Sequence, residues 1–201
     1  SIIYEWESDI RDSDIDLFII TAKGRLFLTR TLTTILFSLL GVRRHKHKIA
    51  GRFCLSFFVS EEGLPLEHVQ KGKDDIYFPY WFMTLKPLYG TKMFRDFLAV
   101  NSWLINYFPD GIAINEQKFW KQHSSGFLAK TIELVLNLGL GGVLEAKLCD
   151  WQSKRHQKNV KYLGSDASVV VNEKMLKFHN IDRRDEFAQK FQERLASLAS
   201  R

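Results

Sequence analysis

The chain has 201 residues, 45% of them hydrophobic and 13% aromatic, enough to bury the core of one globular domain or two small ones. Two cysteines, Cys54 and Cys149, exclude a disulfide framework and a thiolate metal site, and the apolar stretches 31-TLTTILFSLLGV-42 and 134-LVLNLGLGGVL-144 fall short of the ~20 residues of a membrane span. The formal charge of +6 is unevenly spread: residues 1–20 carry six acids and one base, whereas residues 21–60 carry eight bases and no acid.

An acidic cluster beside a basic stretch suits a metal next to a polyanion such as a nucleotide; it equally suits a mildly basic, solvated surface. No signal peptide is evident, and the expected compartment is the reducing cytoplasm. The chain opens on Ser1 without Met, close to the acidic cluster, and a further segment is expected upstream of it.

In chain order, 15-IDLFIIT-21 is rich in β-branched and aromatic residues and reads as a strand, with Gly24 in the following turn. From Arg25 to Leu40 the residues Leu28, Leu32, Ile35, Leu36, Leu39 and Leu40 recur at helical spacing, and Gly41 stands where a C-terminal cap belongs. After the basic turn 43-RRHKHK-48, the segment 49-IAGRFCLSFFVS-60 alternates as a second strand. Its pattern puts Phe53, Leu55, Phe57 and Val59 on one face, and Cys54, Ser56, Phe58 and Ser60 on the other.

Residues 61–75 form a charged loop, and beyond it the period changes from two to about 3.6. Helices are predicted over 75–87, 92–107, 125–159 and 182–199, the last opening on Asp182, with Ser168–Val171 an extra strand or extended loop. The expected fold class is α+β: a mixed sheet with flanking helices over residues 1–72, then a helical region over 73–201. The glycines of 138-LGLGGV-143 lack a preceding strand and the full spacing of a dinucleotide loop, and read as a helix crossing or kink.

The chemistry concentrates at the start of the first strand. Residues i and i+2 of a strand share a face, so Asp14 and Asp16 point the same way with their carboxylates close together. That is costly unless something positive sits between them. Such a pair can share divalent cations, and Mg²⁺ suits it because it takes a few carboxylate oxygens and completes its octahedron with phosphate oxygens and water. The alternative is an exposed strand start in which Ser13 and Asp14 make turn hydrogen bonds.

The run 1-SIIYEWESDIRDSDIDLFII-20 resembles the signature of the DNA polymerase beta-like nucleotidyltransferase superfamily, a Gly-Ser turn followed by Ser-Asp-Ile-Asp and apolar residues. The helix carrying Thr29 and Arg30, then GVRRH, RFCLSFFVS, YFPYWFMTLKPLYG, Trp151-Gln152 and Lys177-Phe178-His179 look similar to a group of bacterial nucleotidyltransferase-like proteins. The resemblance implies a nucleotidyltransferase fold whose N-terminal part begins before Ser1. It implies that Ser1 is the serine that holds nucleotide phosphate, and that Asp14 and Asp16 are catalytic and bind Mg²⁺. The implied reaction transfers a nucleoside monophosphate from an NTP such as ATP to an acceptor hydroxyl, the acceptor lying against the helical region.

One departure bears on that reading. Many active relatives carry a third acidic residue on the second strand, where this chain has Cys54 and Ser56, and acids return only at Glu61, Glu62 and Glu67. Slow transfer, a substitute acid from the loop, and a catalytically degenerate protein that binds a nucleotide or a partner all remain open. The basic run Arg43–Lys48 reads as a phosphate or nucleic-acid contact or as a solvated turn. The aromatics of 76–90 read as core or as a stacking surface. His45 and His47 have no acidic or Cys neighbour suited to zinc, and His179 reads as a locally hydrogen-bonded residue or a general acid or base. There is no G-x-S-x-G, H-E-x-x-H or Walker motif.

Overall fold

The computed structural model describes residues 2–4, 13–45, 47–72, 75–110, 140–160, 168–179 and 183–199. The fold is α+β, a mixed sheet with flanking helices. Its strands are β1 (Ile2–Tyr4), β2 (Ile15–Thr21), β3 (Phe53–Ser60), β4 (Leu85–Pro87), β5 (Ser168–Val171) and β6 (Met175–His179). They lie in the order β4-β1-β2-β3-β6-β5, with β2 and β3 parallel and every other pair antiparallel. Three of the six come from beyond residue 72, so the expected boundary there is not a break in the sheet.

The helices are α1 (Leu26–Leu39), α2 (Tyr77–Thr84), α3 (Thr91–Val100), α4 (Gly141–Val160) and α5 (Arg184–Ala199). The helix expected over 75–87 stops at Thr84, and Leu85–Pro87 turns into an edge strand, where a proline costs no ladder hydrogen bond. The helix expected over 92–107 ends at Val100, and a tighter 3₁₀ turn follows over Ser102–Asn106. Ser168–Val171 is a strand, paired with β6. Of the LGLGGV glycines, Gly141 and Gly142 open α4, and Gly139 lies outside the described residues, as does Asp182.

The first turn of α1 has no acid of its own and no side-chain cap. Glu145 of α4 supplies one: its carboxylate accepts from the Phe27 N–H at 2.9 Å and the Leu28 N–H at 2.8 Å. A negative charge on otherwise unpaired amide groups is favourable at a helix N-terminus, so this contact also fastens α4 to α1. Gly41, at φ +67°, ends the helix in the left-handed conformation that glycine tolerates best. Only Leu26, Phe27 and Leu28 of α1 are buried; the Leu32, Ile35, Leu36 and Leu39 stripe is exposed among the described residues.

The sheet separates two cores. One gathers Phe18, Phe57, Val59, Phe78, Phe82 and Phe97, and the other Leu17, Ile19, Leu26, Phe27, Phe58 and Leu176. This assignment corrects the alternation expected along β3. The register against β2 shifts between Asp16 and Phe18, where Leu55 and Ser56 together oppose Leu17. A bulge of one residue reverses the parity of everything after it. Phe57 and Val59 therefore join the first core, while Phe53 and Leu55 pack on the second with Phe58.

Candidate metal centre

Asp14 immediately precedes β2, and Asp16 is its second residue. The parallel ladder starts even earlier: the Ile15 N–H donates to the Arg52 carbonyl at 2.8 Å and the Gly51 N–H to the Ser13 carbonyl at 2.9 Å. Both aspartates thus stand on anchored backbone, on the face of the sheet that continues into Phe18. Cys54 is the β3 residue paired with Asp16, and it lies before the bulge. One ligand atom from each of Asp14, Asp16 and Cys54 falls within 4.8 Å of the others.

The positive partner that two adjacent carboxylates require comes from the basic turn. Arg44 donates from Nη1 to Asp14 Oδ2 at 2.7 Å and lies 3.7 Å from Cys54 Sγ. Its backbone N–H donates to the Phe53 carbonyl at 3.0 Å, which fixes the turn beside the start of β3. Asp14 is 18% exposed and Arg44 45%, so the pair is open to solvent and worth at most about 1 kcal/mol. A divalent cation with phosphate ligands can therefore displace the guanidinium at small cost.

Burial raises the Asp16 carboxyl above its ordinary value, and the Asp14 charge adds to the effect, while a hydrogen bond from the Cys54 thiol opposes it. Burial beside Asp16 pushes the Cys54 thiol up to about 12, so it is neutral at physiological pH. A neutral thiol neither accepts a proton from a nucleophile nor adds a ligand that Mg²⁺ favours. The two carboxylates fit a hard divalent cation, and the cysteine leaves its third protein ligand unfilled.

The loop acids do not fill that position. Glu61 follows β3, seven residues beyond Cys54, which is about 23 Å along an extended strand. Glu62 pairs instead with Lys23 at 2.7 Å, at the far end of the sheet. Among the described residues, Asp14, Asp16 and Cys54 are the one cluster of His, Cys, Asp and Glu with metal-ligand geometry.

Ser1 lies outside the described residues, as does Lys46 of the basic run. His45 and His47 are exposed. In the aromatic segment, Phe78 and Phe82 are core, and Trp81 packs on Phe57 at 5.5 Å and Phe78 at 5.6 Å; Tyr80 and Tyr89 face solvent. Arg44 belongs to the basic run read as a phosphate contact or a solvated turn, but the run does not name Asp14, thirty positions away, as its partner; the unmet charge of the aspartate pair is the signal that does. Comparison with family models, curated proteins and solved structures found no match.

Proposed function

We propose that the chain is a Mg²⁺-dependent nucleotidyltransferase, moving a nucleoside monophosphate from an NTP to an acceptor hydroxyl with release of pyrophosphate. The observation that supports it most is the Asp14–Asp16 pair, held at the edge of a parallel strand pair with an arginine across its mouth. Asp14 and Asp16 would hold the cation, which when bound neutralises the triphosphate and aligns it for in-line attack. Arg44, released from Asp14, is placed to meet phosphate oxygens. Ser1 is assigned to the phosphates by resemblance, and the acceptor to the side of the helices after residue 73. NTP-dependent chemistry suits the cytoplasm.

The neutral Cys54 favours a second reading, in which the same cleft binds Mg²⁺ and nucleotide without transfer. Pyrophosphate release from each NTP, measured across a panel of hydroxyl acceptors, separates the two. In a slow transferase, Cys54→Asp supplies the absent base and is expected to raise turnover by on the order of 10²-fold. Unchanged turnover in that variant, with nucleotide still bound, would leave binding alone.

A further inference from the structure

Three side chains from two neighbouring strands converge at the mouth of the sheet. Asp14 and Asp16 come from the start of β2, and Cys54 is the β3 residue set opposite Asp16 in the parallel ladder. All three are partly exposed, and one ligand atom of each lies within 4.8 Å of the others. A positive charge already sits among them: Arg44 Nη1 is 2.7 Å from Asp14 Oδ2 and 3.7 Å from Cys54 Sγ. The sulfur therefore faces the same cationic seat as the carboxylate, and Cys54 belongs to neither core.

Two carboxylates and a sulfur differ from the all-oxygen shell that Mg²⁺ demands. Mg²⁺ uses the carboxylates and passes over the sulfur. Borderline divalent cations such as Zn²⁺ and Co²⁺ bond to both, and with three protein ligands they keep a fourth position for water or a phosphate oxygen. Ligand atoms around such a tetrahedral ion stand about 3.5 Å apart, so a contraction of roughly 1 Å closes the shell. Two cysteines cannot build an all-thiolate centre, but a mixed one needs a single sulfur. As the cation bonds to Sγ the S–H bond breaks and its proton passes to solvent, the charge of the ion favouring the thiolate.

We infer that Asp14, Asp16 and Cys54 form a three-ligand centre for a sulfur-accepting divalent cation of the Zn²⁺ class, bound more tightly than Mg²⁺. The inference rests on the proposed assignment of the aspartate pair to a cation, and it changes which cation the pair prefers. Arg44 is the group that the ion displaces, and Cys54 is the residue that sets metal selectivity.

The test is titration of the metal-free chain with Co²⁺, followed by absorption. A near-ultraviolet sulfur-to-cobalt charge-transfer band is expected, saturating at one ion per chain, removed by an equivalent of Zn²⁺ and by Mg²⁺ only in large excess. The band should vanish in Cys54→Ser and in Asp14→Asn/Asp16→Asn and persist in Cys149→Ser, which alters the one other sulfur able to give it. Calorimetry should show Zn²⁺ bound on the order of 10²-fold more weakly by Cys54→Ser. No band in the wild type, a band that survives either site variant, or equal Zn²⁺ affinity in Cys54→Ser would each overturn the inference. The metal is titrated without nucleotide, so Mg²⁺-dependent nucleotide binding without the band strikes this inference alone, and the band without nucleotide binding strikes the transferase reading alone.

Discussion

Replacing Asp14 and Asp16 together by asparagine is expected to cut Mg²⁺-dependent nucleotide turnover by roughly 10²-fold or more while leaving the fold intact. Both side chains stand at the mouth of the sheet rather than in either core. The same variant should melt higher than the wild type without metal, since it removes like charges and the penalty of burying Asp16. A variant that loses turnover and also melts lower would point to a structural role for the pair.

The pH dependence has a definite sign. Between its ordinary value of 3.8 and its raised folded value, Asp16 binds more protons in the folded chain than in the unfolded one. Its contribution to stability is therefore greatest at the acidic end of that window and declines as pH rises through the folded value. Thermal melts of wild type and Asp16→Asn, compared across mildly acidic to neutral pH without metal, should diverge as pH rises. Saturating Mg²⁺ should narrow the difference.

Asp75→Ala is expected to destabilise the protein by about 3–5 kcal/mol, a large share of the ~5–15 kcal/mol that holds a domain folded. Asp75 is buried and serves three donors: the Lys71 N–H at 3.0 Å, the Phe78 N–H at 3.1 Å and Arg184 Nη1 at 3.0 Å. Arg184, the first residue of α5, also donates to the Val69 carbonyl at 2.7 Å. The pair thus caps α2 and pins the C-terminal helix to the chain around residue 70. Tyr77 stacked on Phe187 at 5.1 Å reinforces the joint.

Removing the carboxylate alone takes the Asp75 charge away from the buried Arg184 guanidinium, whereas Asp75→Leu with Arg184→Met removes both charges and should recover much of the loss. Chemical denaturation of the two single variants and the double variant measures this coupling. Additive losses would show that the two residues contribute independently.

The parts of the fold that were legible in the sequence are those where one local signal dominates. The apolar run of β2, the helical spacing that ends at Gly41 and the alternation of β3 each mark their element. β4 escaped because three residues following a helical pattern carry no period of their own. β6 escaped because its identity depends on pairing with β3 and on the Asn172 turn, whose side-chain oxygen accepts from the Lys174 and Met175 N–H groups. The β3 bulge is invisible to alternation, since one inserted residue leaves the pattern looking regular while reversing its faces.

The site divides in the same way. The aspartates and the absence of a carboxylate at Cys54 follow from spacing along two strands. The pairing of Arg44 with Asp14 does not, because the basic run marks only a charged turn and a tertiary contact brings the two together.

The central claim is that Asp14 and Asp16 hold a nucleotide through a divalent cation, and calorimetric titration tests it most directly. Each of the four NTPs is titrated with and without Mg²⁺ into the wild type and the Asp14→Asn/Asp16→Asn variant. The account predicts binding of at least one NTP that requires Mg²⁺ and is lost in the variant; no binding by the wild type, or equal binding by both proteins, would contradict it.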